Sequence, residues 1–290
     1  MSATAPLPRL PLGDAVESAV DWVTVTFRVV FRTLRDLGEG TYDVLVAVLA
    51  GPPAWATALA LVVLALLVRG WRLAVGVGVG FALVIAVGQW DNAMDSLALV
   101  LLASVLALAL AVPLGIWAAR SDRVSGLLRP VLDLMQTMPA LVYLIPMVFI
   151  FRVGIVPGIV GTVIFAMVPG VRFTELGIRQ VDREVVEAGH AFGATEGRIL
   201  RDIQLPLALP TIMAGVNQVI MLALSMVVMA GLVGAGGLGG EVVSALTRVN
   251  ISLGVEAGLS VVILAMFLDR VTSALAARAP VSRALAASAA

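Results

Sequence analysis

Gly234, Gly236 and Gly239 spell G-x-G-x-x-G, the spacing by which a dinucleotide-binding turn lets its backbone approach a pyrophosphate. That chemistry needs a short strand before the glycines and a βαβ unit around them. Here they follow an apolar run of more than 20 residues, and no βαβ unit can be read after them, so a dinucleotide site is rejected. His190 is the only histidine and there is no cysteine, which leaves no partner for an imidazole dyad, a thiol or a Cys/His metal site. An ordinary surface role suits His190. All 19 basic residues are arginine. A Walker A loop grips phosphate with a lysine, so this chain does not hydrolyse ATP by that route.

The remaining place is residues 187–206, EAGHAFGATEGRILRDIQLP, a charged stretch between long apolar runs. Asp182 can cap a helix whose first turns carry Glu184 and Glu187, where negative charge suits the helix dipole. Gly193 sits where that helix would end, because glycine accepts left-handed backbone angles. Thr195 can cap a second short helix with Glu196 in its first turn and Ile199, Leu200 and Ile203 on an apolar side. Pro206 lacks a donor and biases Leu205 away from helix, so a turn is expected there. The pattern fits a helix–turn–helix that docks into a partner. It equally fits a plain polar loop with two amphipathic turns.

These residues must be held by a membrane bundle. The chain is 60% hydrophobic and 13% charged, with a mean hydropathy of +1.05, which is the composition of a polytopic membrane protein. Net charge is zero, which argues against nucleic-acid binding. Residues 1–15 lack the charged start and apolar core of a cleavable signal peptide. Residues 1–13, with Pro6, Pro8 and Pro11, are expected to be irregular. Residues 14–37 alternate apolar and charged positions at helical spacing and are too charged to span. They fit a helix lying along the bilayer, or a soluble packing helix. About seven spans are expected, over 54–68, 72–88, 94–119, 131–151, 153–171, 207–233 and 251–269. Residues 44–50 could extend the first, with Gly51, Pro52 and Pro53 as a break. The division that follows is 1–53 as an N-terminal segment, 54–93 as peripheral spans, 94–272 as a core that includes a cytoplasmic loop at 172–205, and 273–290 as a tail. With that loop in the cytoplasm, 13 arginines beyond the N-terminal segment fall inside and only Arg152 and Arg248 outside.

Polar groups in the spans are few. Gln136, Thr137, Asn217, Gln218 and Ser225 could line a path, or could make interhelical hydrogen bonds. Residues 231–240, with Gly234, Gly236 and Gly237, are either an irregular bend at the outer mouth of a pathway or a simple external turn. Pro139, Pro146, Pro157 and Pro169 should bend the fourth and fifth spans, around a gated cavity or for structural reasons alone. Met221, Met226 and Met229 are read as packing. No series of intramembrane acids suggests a proton relay, since Asp133, Glu256 and Asp269 stand apart.

The segment at 187–206 resembles the EAA loop of ABC-importer permeases: Glu-Ala-Ala, three residues, Gly, nine residues, Ile, one residue, Leu-Pro. Glu187, Ala188, Gly193, Ile203, Leu205 and Pro206 fall at those spacings, and Gly189 replaces the second alanine. PLGIWAAR at 113–120, RPVLDLMQTMPALVYLIPM at 129–147 and the run 204–239 are similar to the glycine betaine/proline betaine branch, as is DWVTVTFRVVFRTLRD at 21–36. The likeness extends over roughly 14–272.

That resemblance implies an all-α transmembrane bundle of the type I ABC importer permease kind in the cytoplasmic (inner) membrane. It implies that Glu187, Ala188, Gly189, Gly193, Ala194, Thr195, Ile203, Leu205 and Pro206 form the loop that couples to an ATPase. It also implies partners: a second permease copy, two ATP-binding subunits that carry the ATP and Mg, an extracytoplasmic solute-binding protein, and lipids. The chain itself would hold no cofactor. The expected cargo is glycine betaine or a related compatible solute taken up under osmotic stress. Choline, carnitine, proline or another amino-acid-like solute is the alternative within the same architecture. A channel or proton-coupled carrier would need flux without an ATPase, and a membrane-embedded enzyme would need a convergent catalytic set that the residues do not offer. Binding proteins for quaternary ammonium use aromatic cages. At 6% aromatic residues this chain has no obvious cage, which places selection on the partner.

Overall fold

A computed structural model describes residues 12–277, all of whose regular structure is helical. The prolines at 6, 8 and 11 and most of the expected tail lie outside the described residues. The chain begins with α1 (Leu12–Thr26) and α2 (Arg28–Leu49), separated by a turn at Phe27. No residue of α2 is buried, as suits a helix lying on a surface. It runs well past the expected end at 37 and takes in residues 44–49, so that α2 and the helix after the break at residues 51–53 together have the length and composition of one bent span. Pro52 and Pro53 cannot continue a helix, and α3 (Ala54–Arg69) leaves at 92° to α2. Gly70, at φ +89°, turns the chain into α4 (Trp71–Ala86).

The centre is built from α5 (Trp90–Arg120), α8 (Ile155–Arg179) and α11 (Leu205–Leu232), with α8 packed against each of the other two more extensively than any other pair of helices. Small residues let their backbones come close. A Cβ on Gly170 would lie 2.7 Å from the Ala111 Cβ and 3.1 Å from Val219, and one on Gly177 would lie 3.0 Å from Thr211. Between α5 and α8 run α6 (Asp122–Thr137) and α7 (Ala140–Phe151). The expected fourth span, 131–151, is thus not straight. It turns by 97° at Met138 and Pro139, because proline holds the preceding residue in extended backbone.

The expected fifth span ended at 171, whereas α8 continues helically to Arg179. Its added polar residues are paired: Arg172 with Asp133 and Arg179 with Asp122. The chain then passes through α9 (Arg183–Ala191) and α10 (Glu196–Ile199) into α11, and closes with α12 (Gly237–Thr247) and α13 (Ile251–Ala277). Among the described residues four helices are long and apolar enough to cross a membrane, or six if each bent pair is one span, and α4 is a shorter apolar helix beside them. The outward surface is apolar too, for example Leu59 and Leu67 on α3 and Val75 and Val79 on α4, as expected of a lipid-facing bundle.

Candidate functional site

Between α8 and α11 the polar segment folds as two short helices. The Asp182 carboxylate accepts a hydrogen bond from the Glu184 N–H at 2.9 Å and caps α9. After Ala191 the chain reverses through Phe192 and Gly193. Gly193 has φ +76°, and its N–H donates to the His190 carbonyl at 2.8 Å, while the Ala194 N–H donates to Gly189 at 3.1 Å. This is the glycine-terminated helix end that the spacing suggested. Thr195 occupies the cap position of α10, but its side chain makes no capping bond; its carbonyl instead accepts from Arg198 and Ile199.

The expected turn at Pro206 does not occur. Leu205 is helical at φ −62°, ψ −45°, and α10 runs through a π-helical turn, Leu200–Gln204, into α11 without a break. The Leu205 N–H donates to Leu200, five residues back. Pro206 is the second residue of α11, directly after the π turn. The wider π turn re-registers the bonds just before it.

Gly189 has a steric role here. It is buried, and a Cβ there would lie 2.8 Å from Ile203 Cδ1 and 3.4 Å from Ile199 Cγ1. Glycine at this point lets α9 rest on the apolar side of the helix that follows. Glu187, Ala188 and Gly193 remain exposed. Phe192, which sequence reasoning passed over, is 92% exposed at the tip of the turn. A phenylalanine inside a polar segment and directly before the helix-ending glycine was the available signal.

The segment stands on a charged junction. Glu175, buried on α8, accepts from the Ser125 hydroxyl at 2.6 Å and pairs with Arg179 at 3.0 Å and Arg129 at 3.6 Å. Arg179 also pairs with Asp122 at 2.7 Å and donates to the Ala118 carbonyl at 2.8 Å. The end of α5, the start of α6 and the end of α8 are thereby tied together on the face that carries α9 and α10. Glu175 was missed because it lay in what read as loop.

The polar residues suggested for a pathway are dispersed. Asn217 is tied to α13: its amide donates to Asp269 at 3.3 Å and its carbonyl accepts from Thr272 at 2.6 Å. Ser225 donates to Met221 on its own helix, and Thr137 to Leu134. Gln136 and Thr137 are exposed beside the α6–α7 corner. Gln218 and Ser225 share an exposed face of α11 with Leu207, Ala214 and Leu232. Gly234, Gly236 and Gly237 form the bend into α12, all at positive φ. This bend is close-packed: a Cβ on Gly237 would lie 2.6 Å from Ser96 Oγ, which itself accepts from the Leu238 N–H at 2.8 Å.

Residues 111–279 match the family described as binding-protein-dependent transport system inner membrane component. The chain is 46% identical to the glycine betaine transport system permease protein OpuAB of Bacillus subtilis, over 92% of this chain and 94% of that protein. It is 45% identical to the glycine betaine/proline betaine transport system permease protein ProW of Escherichia coli, over 91% of this chain and 75% of that one. The glycine betaine/carnitine transport permease protein GbuB of Listeria monocytogenes is also 45% identical, over 92% and 96%. The fold is similar to a chain of the MetNI methionine ABC transporter in an inward-facing conformation, with a TM-score of 0.60 at 20% identity over 65% of this chain and 94% of that one.

Proposed function

The chain belongs to the family of binding-protein-dependent transport system inner membrane components, and from that premise we propose that it carries glycine betaine or a related compatible solute across the cytoplasmic membrane, driven by a separate ATPase. It is a transport subunit of an inner membrane. The observation that carries the solute assignment is the likeness, over nine-tenths of the chain, to permeases named for glycine betaine.

Mechanically, the tip formed by Phe192 and Gly193, flanked by Glu187 and Ala188, enters a groove on the ATPase. An exposed aromatic ring anchors such a contact well, because filling a pocket buries a large apolar area. Force on the tip passes through Gly189 against Ile199 and Ile203 into α11, which is continuous with α10. It also reaches α5, α6 and α8 through Glu175 and Arg179. A second copy of the chain covers the exposed face of α11 that carries Gln218 and Ser225, two ATP-binding subunits hold ATP and Mg, and an extracytoplasmic binding protein selects the solute. Residues 231–240 form the outer closure of the path, and Gln136, Thr137, Asn217 and Ser225 border it.

The test is uptake into proteoliposomes that hold this chain with its co-purifying ATPase and binding protein. ATP-dependent accumulation of labelled glycine betaine is expected. ATP-dependent uptake of choline, carnitine or proline instead would replace the solute and keep the architecture. Uptake indifferent to ATP would remove the coupling role from residues 187–206.

A further inference from the structure

Three arginines on one side of α2, Arg28, Arg32 and Arg35, face the turn between α7 and α8, where Arg152 stands. Together they line a cavity of about 600 Å³, within the usual size of small-molecule sites. Arg35 is paired with Glu39 at 2.8 Å. Among the described residues, no carboxylate lies within 4.0 Å of Arg28, Arg32 or Arg152. Asp36 and Glu39 also line the cavity, which leaves it with a net charge of +2. Its other wall is apolar, from Val25, Phe31, Phe149 and Ile150. A cation cluster beside an apolar wall is the chemistry that holds an amphiphilic anion.

The backbone at Arg152 is a second, independent observation. It has φ +66°, ψ 175°, a conformation open almost only to glycine. The neighbours impose it. Phe151 is buried against Phe31, with ring centroids 5.6 Å apart, and the Gly154 N–H donates to the Val233 carbonyl at 2.9 Å. A glycine would satisfy this turn at lower cost, yet the position holds an arginine whose side chain reaches the cavity.

The cavity also has a definite place. Gly38 of α2 lies against Val156 at the start of α8, and the Tyr42 hydroxyl approaches the Asp95 carbonyl near the start of α5. These are the ends of α5 and α8 remote from Glu175 and α9. On the reading of residues 187–206 as the ATPase-facing segment, the cavity opens at the outer membrane surface.

We propose that the cavity formed by Arg28, Arg32, Arg35 and Arg152 binds the phosphodiester headgroup of an anionic phospholipid, with the acyl chains leaving along Phe31, Phe149 and Ile150. Arg28, Arg32 and Arg152 take the phosphate oxygens by charge-assisted hydrogen bonds, and the bound lipid pins α2 to the α7–α8 turn.

The delipidated full-length chain would be titrated with phosphatidylglycerol, phosphatidylcholine and inorganic phosphate and read by native mass spectrometry. Phosphatidylglycerol is expected to bind about tenfold more tightly than phosphatidylcholine, because both carry the phosphodiester but only phosphatidylcholine brings a choline cation into a cavity of net positive charge. Arg152→Gly, and separately Arg28→Gln with Arg32→Gln, should each abolish that preference. Arg152→Gly should do so with thermal stability unchanged or raised, since glycine suits the backbone there; the double variant, on an exposed helix face, covers the case of a folding defect. Equal binding of the two lipids overturns the proposal, as does an undiminished preference in both variants. Competition by inorganic phosphate at the lipid's own concentration would assign a free-anion site instead. Variants that keep the lipid but fail to capture the solute-binding protein would give the surface to that partner. None of these readouts needs transport, so the result stands apart from the solute and coupling assignments.

Discussion

The two ends of α8 are built in opposite ways. Near Arg179 the junction is made of side chains: a buried carboxylate, two arginines, a serine hydroxyl and a capped helix beyond. Near Ile155 the chain is joined by backbone. Gly154 bonds Val233, and the bend from Gly231 to Gly239 brings α12 so close to α11 that a Cβ on Gly239 would strike the Val227 carbonyl. Charged side chains can shift among rotamers and remain paired, so the first end can move and hold. Backbone-to-backbone packing has no such slack, so the second end can serve only as a fixed closure or a rigid pivot.

Substitutions at each end should expose that difference. The largest effect is expected for Gly239→Val, which forces a side chain into backbone. Overpacking of this kind costs about 3 kcal/mol or more, and little folded chain should be recovered from membranes. Normal yield and an unchanged melting temperature would show that the bend yields, and would break the comparison. Glu175→Gln keeps the shape but removes the charge opposite Arg179 and Arg129. A loss of about 2 kcal/mol is expected, the scale of a hydrogen bond to a charged group, read by thermal unfolding in detergent. An unaltered melting temperature would make the polar junction incidental.

Gly193→Ala should cost about 1 kcal/mol, from positive φ alone, because nothing lies within 4 Å of the added Cβ. Gly193→Asn should cost less, since asparagine tolerates that conformation. ATP-dependent uptake that falls in the order Gly, Asn, Ala, with insertion unaffected, would tie the turn's geometry to coupling. The smallest stability effect belongs to Phe192→Ala, close to zero for a ring so exposed, while ATP-dependent uptake should drop about tenfold through the lost anchor. Full uptake by this variant would take the aromatic tip out of the contact.

The polar segment was legible because its signals are local. Asp182 and Gly193 act on backbone groups two or three residues away, and both do what their types suggested. Pro206 misled because the rule for the residue before proline is local too, and the π turn behind it absorbs the constraint. Glu175 and Arg172 were read as loop because charge ends an apolar run, yet their partners, Ser125 and Asp133, are distant in sequence. The corner at Pro139 was visible as a kink, but not as a right-angled turn.

The sequence by itself determined a helical membrane bundle and a built turn between two charged half-helices. Composition, hydropathy period and capping act over one or two turns of helix, and need no knowledge of what lies opposite. Only the tertiary structure decided that Gly189 is a contact between two helices, that Glu175 is the centre of a junction, that Asn217 belongs to α13, and that Arg152 meets the arginines of α2. Each of these depends on which residues, tens or more than a hundred positions apart, approach within a few ångströms, and that follows from how α5, α8 and α11 pack.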